Sequence, residues 1–298
     1  MSGVLFAKIL RDIRWPLTLV TLLLAAYQFL WAKITQRITE ELLPAFTQHL
    51  PIQVIKALLF QGPGRIVQTL MGGDTIDLQQ PMDMLSVGYI HPLTQTILCI
   101  WAMGRAASAL AGELDRGTLE LLLAQPIARS RVIGTHLFVD LATIPLLCSS
   151  LYLGTVLGVS VFGLSGIDLA AFTRALVNVA AFLFALSGGT MALSAMGRFR
   201  WKVLSWSLGV ALVGFLVNLF GQMWPVLAPF RPLTMFYYYQ PQLLILKDRW
   251  WIPISGPDLA LGTTAYQVPF VGVLVFGGLL GYAVALGVFT RRDLPAPL

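Results

Sequence analysis

Six stretches of this chain are apolar for long enough to cross a bilayer, and no other feature narrows the fold so far. About 20 mostly apolar residues span roughly 30 Å of hydrocarbon. The stretches run from Pro16 to about Ala32, Met84 to Ala111, Val132 to Phe162, Ala170 to Met196, Val203 to Trp224 and Val268 to Phe289. Inside lipid a backbone must satisfy its own polar groups, so runs of this kind fold as helices. The expected class is an all-α membrane protein with six transmembrane helices, forming one domain over residues 1–298. Composition agrees, with 57% hydrophobic and only 11% charged residues, where a soluble domain carries about 25% charged. The net charge of +6 then belongs at a membrane face and not on a nucleic acid. Cys99 and Cys148 both lie in apolar runs, which offers neither a disulfide framework nor CxxC metal spacing. The first apolar run lacks a small-residue cleavage site, so no cleaved leader is expected.

An even number of spans puts both termini on one side, and lysine and arginine collect at the cytoplasmic ends of spans. Eleven of the 20 basic residues lie in the short segments around Lys8, Arg116, Arg129, Arg198 and Arg291. Their density is about threefold that of the opposite segments, which places both termini in the cytoplasm. The other side carries residues 33–83 and 225–267. The first is amphipathic, with Leu42, Leu43, Phe46, Leu50, Val54, Ile55, Leu58 and Leu59 near helical spacing. The second holds Phe236 to Tyr239, Trp250 and Trp251, expected as an interfacial aromatic belt. Residues 1–15 place Leu5, Phe6, Ile9 and Ile13 on one face. They are expected as a separate elbow helix in the headgroup plane that turns into the membrane at Pro16.

The loop over residues 113–131 is unusually rich for a connection between spans. Asp115 and Thr118 are expected to cap a short helix and Pro126 to end it. Leu119, Leu121, Leu122 and Leu123 exceed what a solvated loop carries, so they need a partner surface. That surface is the protein's own spans, the membrane face or another subunit in the cytosol.

The run from Glu113 to Arg131, with its Asp-Arg-Gly-Thr-Leu-Glu-Leu-Leu-Leu core and Pro-Ile-Ala-Arg exit, closely resembles the hallmark of the permease subunits of type-2 ABC exporters. The outline of the whole chain is similar: an amphipathic N-terminal helix, six spans, the signature after the second, and an Arg-Arg-Asp-Leu tail. The resemblance implies that this loop is a coupling helix docking on an ATP-binding subunit. Gly117, Thr118, Leu119, Glu120, Leu121, Leu122, Leu123 and Gln125 would contact that partner, with Asp115 in the same set. Glu113 and Arg116 would hold the loop to the spans, and Pro126 and Arg129 would fix its exit. Also implied are two copies of the soluble ATP-binding subunit, a second permease chain, identical to this one sooner than different from it, and surrounding membrane lipids, but no nucleic acid. ATP and Mg are expected in the partner, with no cofactor, metal or catalytic residue in this chain. The implied location is the cytoplasmic (inner) membrane of a prokaryote.

The chain holds no GxxxxGK[ST] phosphate loop, so the ATPase must be a separate polypeptide. Leu186-Ser187-Gly188-Gly189 has the look of an ABC ATPase signature, but inside an apolar span it reads as small-residue packing. Gly163-Leu164-Ser165-Gly166 suggests an intramembrane serine hydrolase of the rhomboid kind, which needs a histidine in a later span. The three histidines, His49, His91 and His136, all come earlier. A hydrolase using Ser165 and a noncatalytic anchor for a cytosolic complex stand as alternatives to the exporter. Spacings of GxxxG at Gly154/Gly158 and Gly277/Gly281 allow close helix approach, within the chain sooner than between chains.

Polar residues inside spans carry the remaining information. Arg105 needs a partner on another helix, and Asp140 follows His136 by one turn. The resemblance sets spans two and five beside the centre of a permease dimer. Thr94, Gln95, Asn218 and Gln222 are thus the candidate substrate pathway, suited to a lipid, peptide or other amphipathic molecule. Thr96, Ser205 and Ser207 accompany them. Such groups equally serve as interhelical glue, at about 0.6 kcal/mol per contact.

Overall fold

The computed structural model describes residues 2–48, 51, 54, 77–125, 127–257 and 263–292, and for Glu120, Leu122 and residues 255–257 and 263–265 the backbone only. Pro126 and most of the amphipathic stretch over 49–76, including Leu50, Ile55, Leu58 and Leu59, lie outside the described residues.

The chain opens with α1 (Ser2–Gln36), 35 residues long with Pro16 inside it. At 1.5 Å per residue this rod is about 52 Å long, well beyond the hydrocarbon thickness. The separate elbow over residues 1–15 is therefore corrected to the first third of one continuous helix. Pro16 forfeits the bond to the Asp12 carbonyl, but residues 14–16 are exposed, so no other helix encloses the weakened turn. A π-helical turn (Arg37–Leu42) and α2 (Leu43–Thr47) continue it.

The expected second span is broken. α3 (Pro81–Ile90) and α4 (Pro92–Ala109) meet at His91, whose extended backbone precedes Pro92 and whose Nδ1 accepts from the Leu93 amide at 3.2 Å. A residue before proline is driven out of the helical region, which explains the break. Then come α5 (Ala111–Asp115), α6 (Thr118–Leu123), α7 (Arg129–Phe162), α8 (Leu169–Met196) and α9 (Arg200–Gly221). After two 3₁₀ turns and α10 (Pro241–Lys247), an antiparallel hairpin pairs β1 (Trp251–Pro257) with β2 (Thr263–Pro269) before α11 (Phe270–Arg291). Trp251 faces Pro269 and Pro257 faces Thr263 in that hairpin. Among the described residues it is the exception to an otherwise helical fold, and it arises where Trp251-Ile252 and Thr263-Thr264 supply β-branched and aromatic residues.

Among the described residues five helices are long and apolar enough to cross a membrane: α1 with its continuation, α7, α8, α9 and α11. α4, carrying Gln95 and Arg105 in 18 residues, falls outside that group.

α8 is the central helix, packed on α11, α4, α10 and α7. Its approach to α11 is set by glycines: a Cβ added to Gly188 would lie 2.3 Å from the Gly278 carbonyl oxygen, and one on Gly281 would be 2.3 Å from the Gly188 carbonyl carbon. α1 meets α7 in the same way, with Gly154 against Ala25 and Gly158 against Ala32. Both GxxxG spacings thus serve contacts within the chain, although Gly277 faces open space and Gly278 takes its place. Gly188→Val should destabilise the protein by about 2 kcal/mol or more, since the added atoms meet backbone and not a movable side chain. Thermal unfolding in detergent checks this, against Gly277→Val, which should leave the midpoint within a degree or two.

The aromatic segment also turns inward. Phe236, Tyr238 and Tyr239 are buried within the protein, while Trp251 is exposed. Phe182 of α8 packs against Tyr239 and Phe236, and the Tyr239 hydroxyl donates to the Tyr89 carbonyl at 2.6 Å. A buried tyrosine needs a partner for its hydroxyl, and the α3 carbonyl supplies one.

Candidate functional site

The loop after α4 is built as a rigid corner. α4 ends at Leu110, and the orphaned amides of Leu110 and Ala111 donate to the Ser194 hydroxyl of α8 at 3.3 and 3.0 Å. Ser194 returns its proton to the Ala107 carbonyl at 3.3 Å. Gly117 closes α5 with a φ of +71°, a conformation that costs a Cβ-bearing residue about 1–2 kcal/mol, and its amide donates to Leu114 at 3.1 Å. The caps take a different form from that expected. Thr118 donates to the carboxylate and carbonyl of Glu113, while Arg116 reaches the other carboxylate oxygen at 2.7 Å, so Glu113 staples the turn. Asp115 is exposed beside them.

α6 divides its leucines between two surfaces. Leu119 is buried in the main core and Leu123, one turn on, packs against it. Leu121 points away and is 71% exposed. The side chains of Glu120 and Leu122 lie outside the description, and Gln125 is exposed where the helix ends. Arg129 begins α7 and fixes the exit: its guanidinium donates to the carbonyls of Phe289 at 3.2 Å and Arg292 at 2.5 Å. Arg292 in turn donates to Ala195 at 2.8 Å and Gly197 at 2.9 Å, the end of α8. Loop, α8 and α11 are thereby braced into one unit.

That corner borders a cleft of about 740 Å³ between α1, α4 and α9. Glu113 and Arg116 stand at the loop end of it, and Cys99, Met103, Leu208 and Phe215 form apolar wall. The candidate pathway residues separate here. Gln95 lines the cleft, and it also lines a small annex shared with Asn218, Gln222, Gln240 and Gln242. Asn218 is held by the Phe236 carbonyl and by Arg231, whose guanidinium burial lowers from its ordinary pKa. Thr96 also lines the cleft, whereas Thr94 is fully buried and donates to the Gly88 carbonyl at 2.6 Å across the helix break. Ser207 is buried and Ser205 exposed.

Arg105 finds its partner on another helix, as its position inside a span requires. Its guanidinium hydrogen-bonds Asp140 of α7, lies 3.4 Å from His136 Nδ1, and is 3.5 Å from the Tyr282 hydroxyl of α11, which itself bonds Asp140. His136 and Asp140 are thus joined through Arg105 and not as an isolated pair. Ser194, Tyr282 and Arg292 escape sequence reading, because nothing local marks a serine, a tyrosine or a terminal arginine as a partner for a segment some 80 to 180 residues away. Ser165 sits exposed in the turn between Gly163 and Gly166. The two described histidines are engaged elsewhere, His136 with Arg105 and His91 against Trp31 and Tyr27. Among the described residues no three histidine, cysteine, aspartate or glutamate side chains gather to hold a metal ion.

Residues 6–294 match the model of a family described as ABC-2 family transporter protein. No curated protein and no solved structure matches the chain.

Proposed function

The chain belongs to the ABC-2 transporter family, and from that premise we propose that it is the membrane-embedded permease of an ATP-driven exporter, docking its engine through α6. It is a multi-pass membrane protein of that family, whose permeases associate with an ATP-binding subunit. Six crossings, α3 and α4 together making the second, put both termini in the cytoplasm of a prokaryotic inner membrane. Two such chains bind two copies of the soluble ATPase, which holds the ATP and Mg, while this chain itself catalyses nothing. The cargo is amphipathic.

One observation carries the reading. Leu121 stands bare on a helix held at its entry by Ser194 and Glu113 and at its exit by Arg129, and the same loop borders the cleft. Closure of two ATPase subunits moves a permease only through a handle that does not bend, and such a helix transmits displacement to α8 and α11. Purification of the tagged chain from its native cells in gentle detergent tests it. A soluble ATP-binding protein at a one-to-one ratio supports the proposal. A chain that emerges alone from several detergents points to the anchor or the Ser165 hydrolase, and ATP-dependent movement of any cargo excludes both. For the topology, single cysteines at Lys8 and Arg291 should resist impermeant thiol reagents in intact cells and react once the membrane is opened. Labelling of either from outside overturns the orientation.

A further inference from the structure

The cleft's charges are matched unequally. At its loop end Glu113 pairs with Arg116 at 2.7 Å, and deeper in, Arg105 pairs with Asp140. Each couple is neutral as a unit. Two charges remain: Asp12 on the α1 wall and Arg200 at the start of α9, both exposed and neither in an ion pair among the described residues. They differ in sign and stand on different walls of one cleft.

Beyond them the lining turns apolar, with Ile13, Ile100, Met103, Leu208, Leu212 and Phe215 among its residues. The stretch of α4 from Pro92 to Gly104 borders it, a rise of about 18 Å at 1.5 Å per residue. That is close to one leaflet's share of a hydrocarbon core of about 30 Å. The shape is that of an acyl chain's berth with a two-signed mouth.

We infer that the cleft holds a zwitterionic membrane lipid, its chains along α4 and α9, its ammonium group at Asp12 and its phosphate at Arg200. A purely anionic headgroup gains Arg200 but faces Asp12, and a purely cationic one meets the reverse, whereas a primary ammonium and a phosphate in one headgroup satisfy both walls. Calling that lipid cargo rests on the permease reading, but the site itself does not.

The test is to reconstitute the full chain in nanodiscs of equal parts phosphatidylethanolamine, phosphatidylglycerol and phosphatidylcholine, transfer it to detergent, and count retained lipids by native mass spectrometry. Phosphatidylethanolamine should exceed phosphatidylglycerol by about fivefold, the size of one exposed ion-pair contact. Asp12→Asn should shift retention toward phosphatidylglycerol, and Arg200→Gln should lower the retention of all three lipids, since each carries the phosphate. Both residues are exposed, so neither change threatens folding. Leu212→Trp, which adds bulk at an exposed position of the lining, should lower all retained lipid. Equal retention of the three lipids by the unaltered chain overturns the inference, as does a preference that both charge variants leave intact. The same preparation reports on the ATPase. Lipid preference without a bound ATPase upholds the site and defeats the permease reading, while a bound ATPase without preference does the opposite.

Discussion

Leu121→Asp should release the ATP-binding subunit while leaving the chain in the membrane at its normal level. The side chain is 71% exposed, so a carboxylate there meets water in the free protein and costs little folding energy. In the docked state proposed above, the same carboxylate would be desolvated within the contact. Truncating or charging a central anchor of an interface costs about 2–4 kcal/mol, which at 3 kcal/mol is over a hundredfold in Kd. Co-purified ATPase should fall below detection, and transport with it. Leu119→Asp is the informative contrast, because Leu119 is buried in the bundle core and its replacement should lower the amount of folded protein instead. Arg116→Glu sets two acidic groups side by side where Glu113 now bonds Arg116. It should loosen the turn and weaken docking less than Leu121→Asp does. Undiminished ATPase binding by both Leu121→Asp and Arg116→Glu would remove α6 from the interface.

Asp140→Ala should cost about 3–5 kcal/mol of stability, the effect of stranding one member of a buried pair. The side chains of Arg105 and Asp140 are 4% and 0% exposed, and the Tyr282 hydroxyl closes the same cluster. Removing the carboxylate leaves a guanidinium among apolar helices, with only His136 and Tyr282 near it. The double replacement Arg105→Met with Asp140→Leu should recover most of the loss, since a well-packed apolar pair often equals a buried ionic one. Denaturation midpoints of the three proteins in one detergent separate these outcomes. A loss under about 1 kcal/mol in Asp140→Ala, the range of an exposed pair, would mean that the cluster is hydrated.

Both predictions rest on features the sequence exposes unevenly. A run of leucines between two charged turns shows in the sequence that the loop needs an apolar surface, and the protein's own core supplies part of it through Leu119 and Leu123. Which leucine points outward was not readable, since α6 is only six residues long and its facing depends on Leu119 finding the core. Arg105 announced a need for a partner by its depth, but Asp140, His136 and Tyr282 are gathered by the packing of α4, α7 and α11. The elbow was misplaced because proline is read as a boundary, whereas an exposed helix turn tolerates it in α1. The aromatic run was only partly legible: Tyr and Trp mark membrane interfaces on average, and nothing local shows that the Tyr239 hydroxyl goes to the Tyr89 carbonyl inside the protein.

The brace between Arg129 and the carbonyls of Phe289 and Arg292 also imposes an order in time. A ribosome delivers the loop over 113–131 when more than half the chain is still to be made. The anchor for its exit arrives only with the last helix. Until α11 has been made, the loop lacks the carbonyls that hold its second end. If α6 docks an ATP-binding subunit as proposed, loading should wait for the last helix, and chains truncated before Phe289 should insert into the membrane without retaining that subunit on purification.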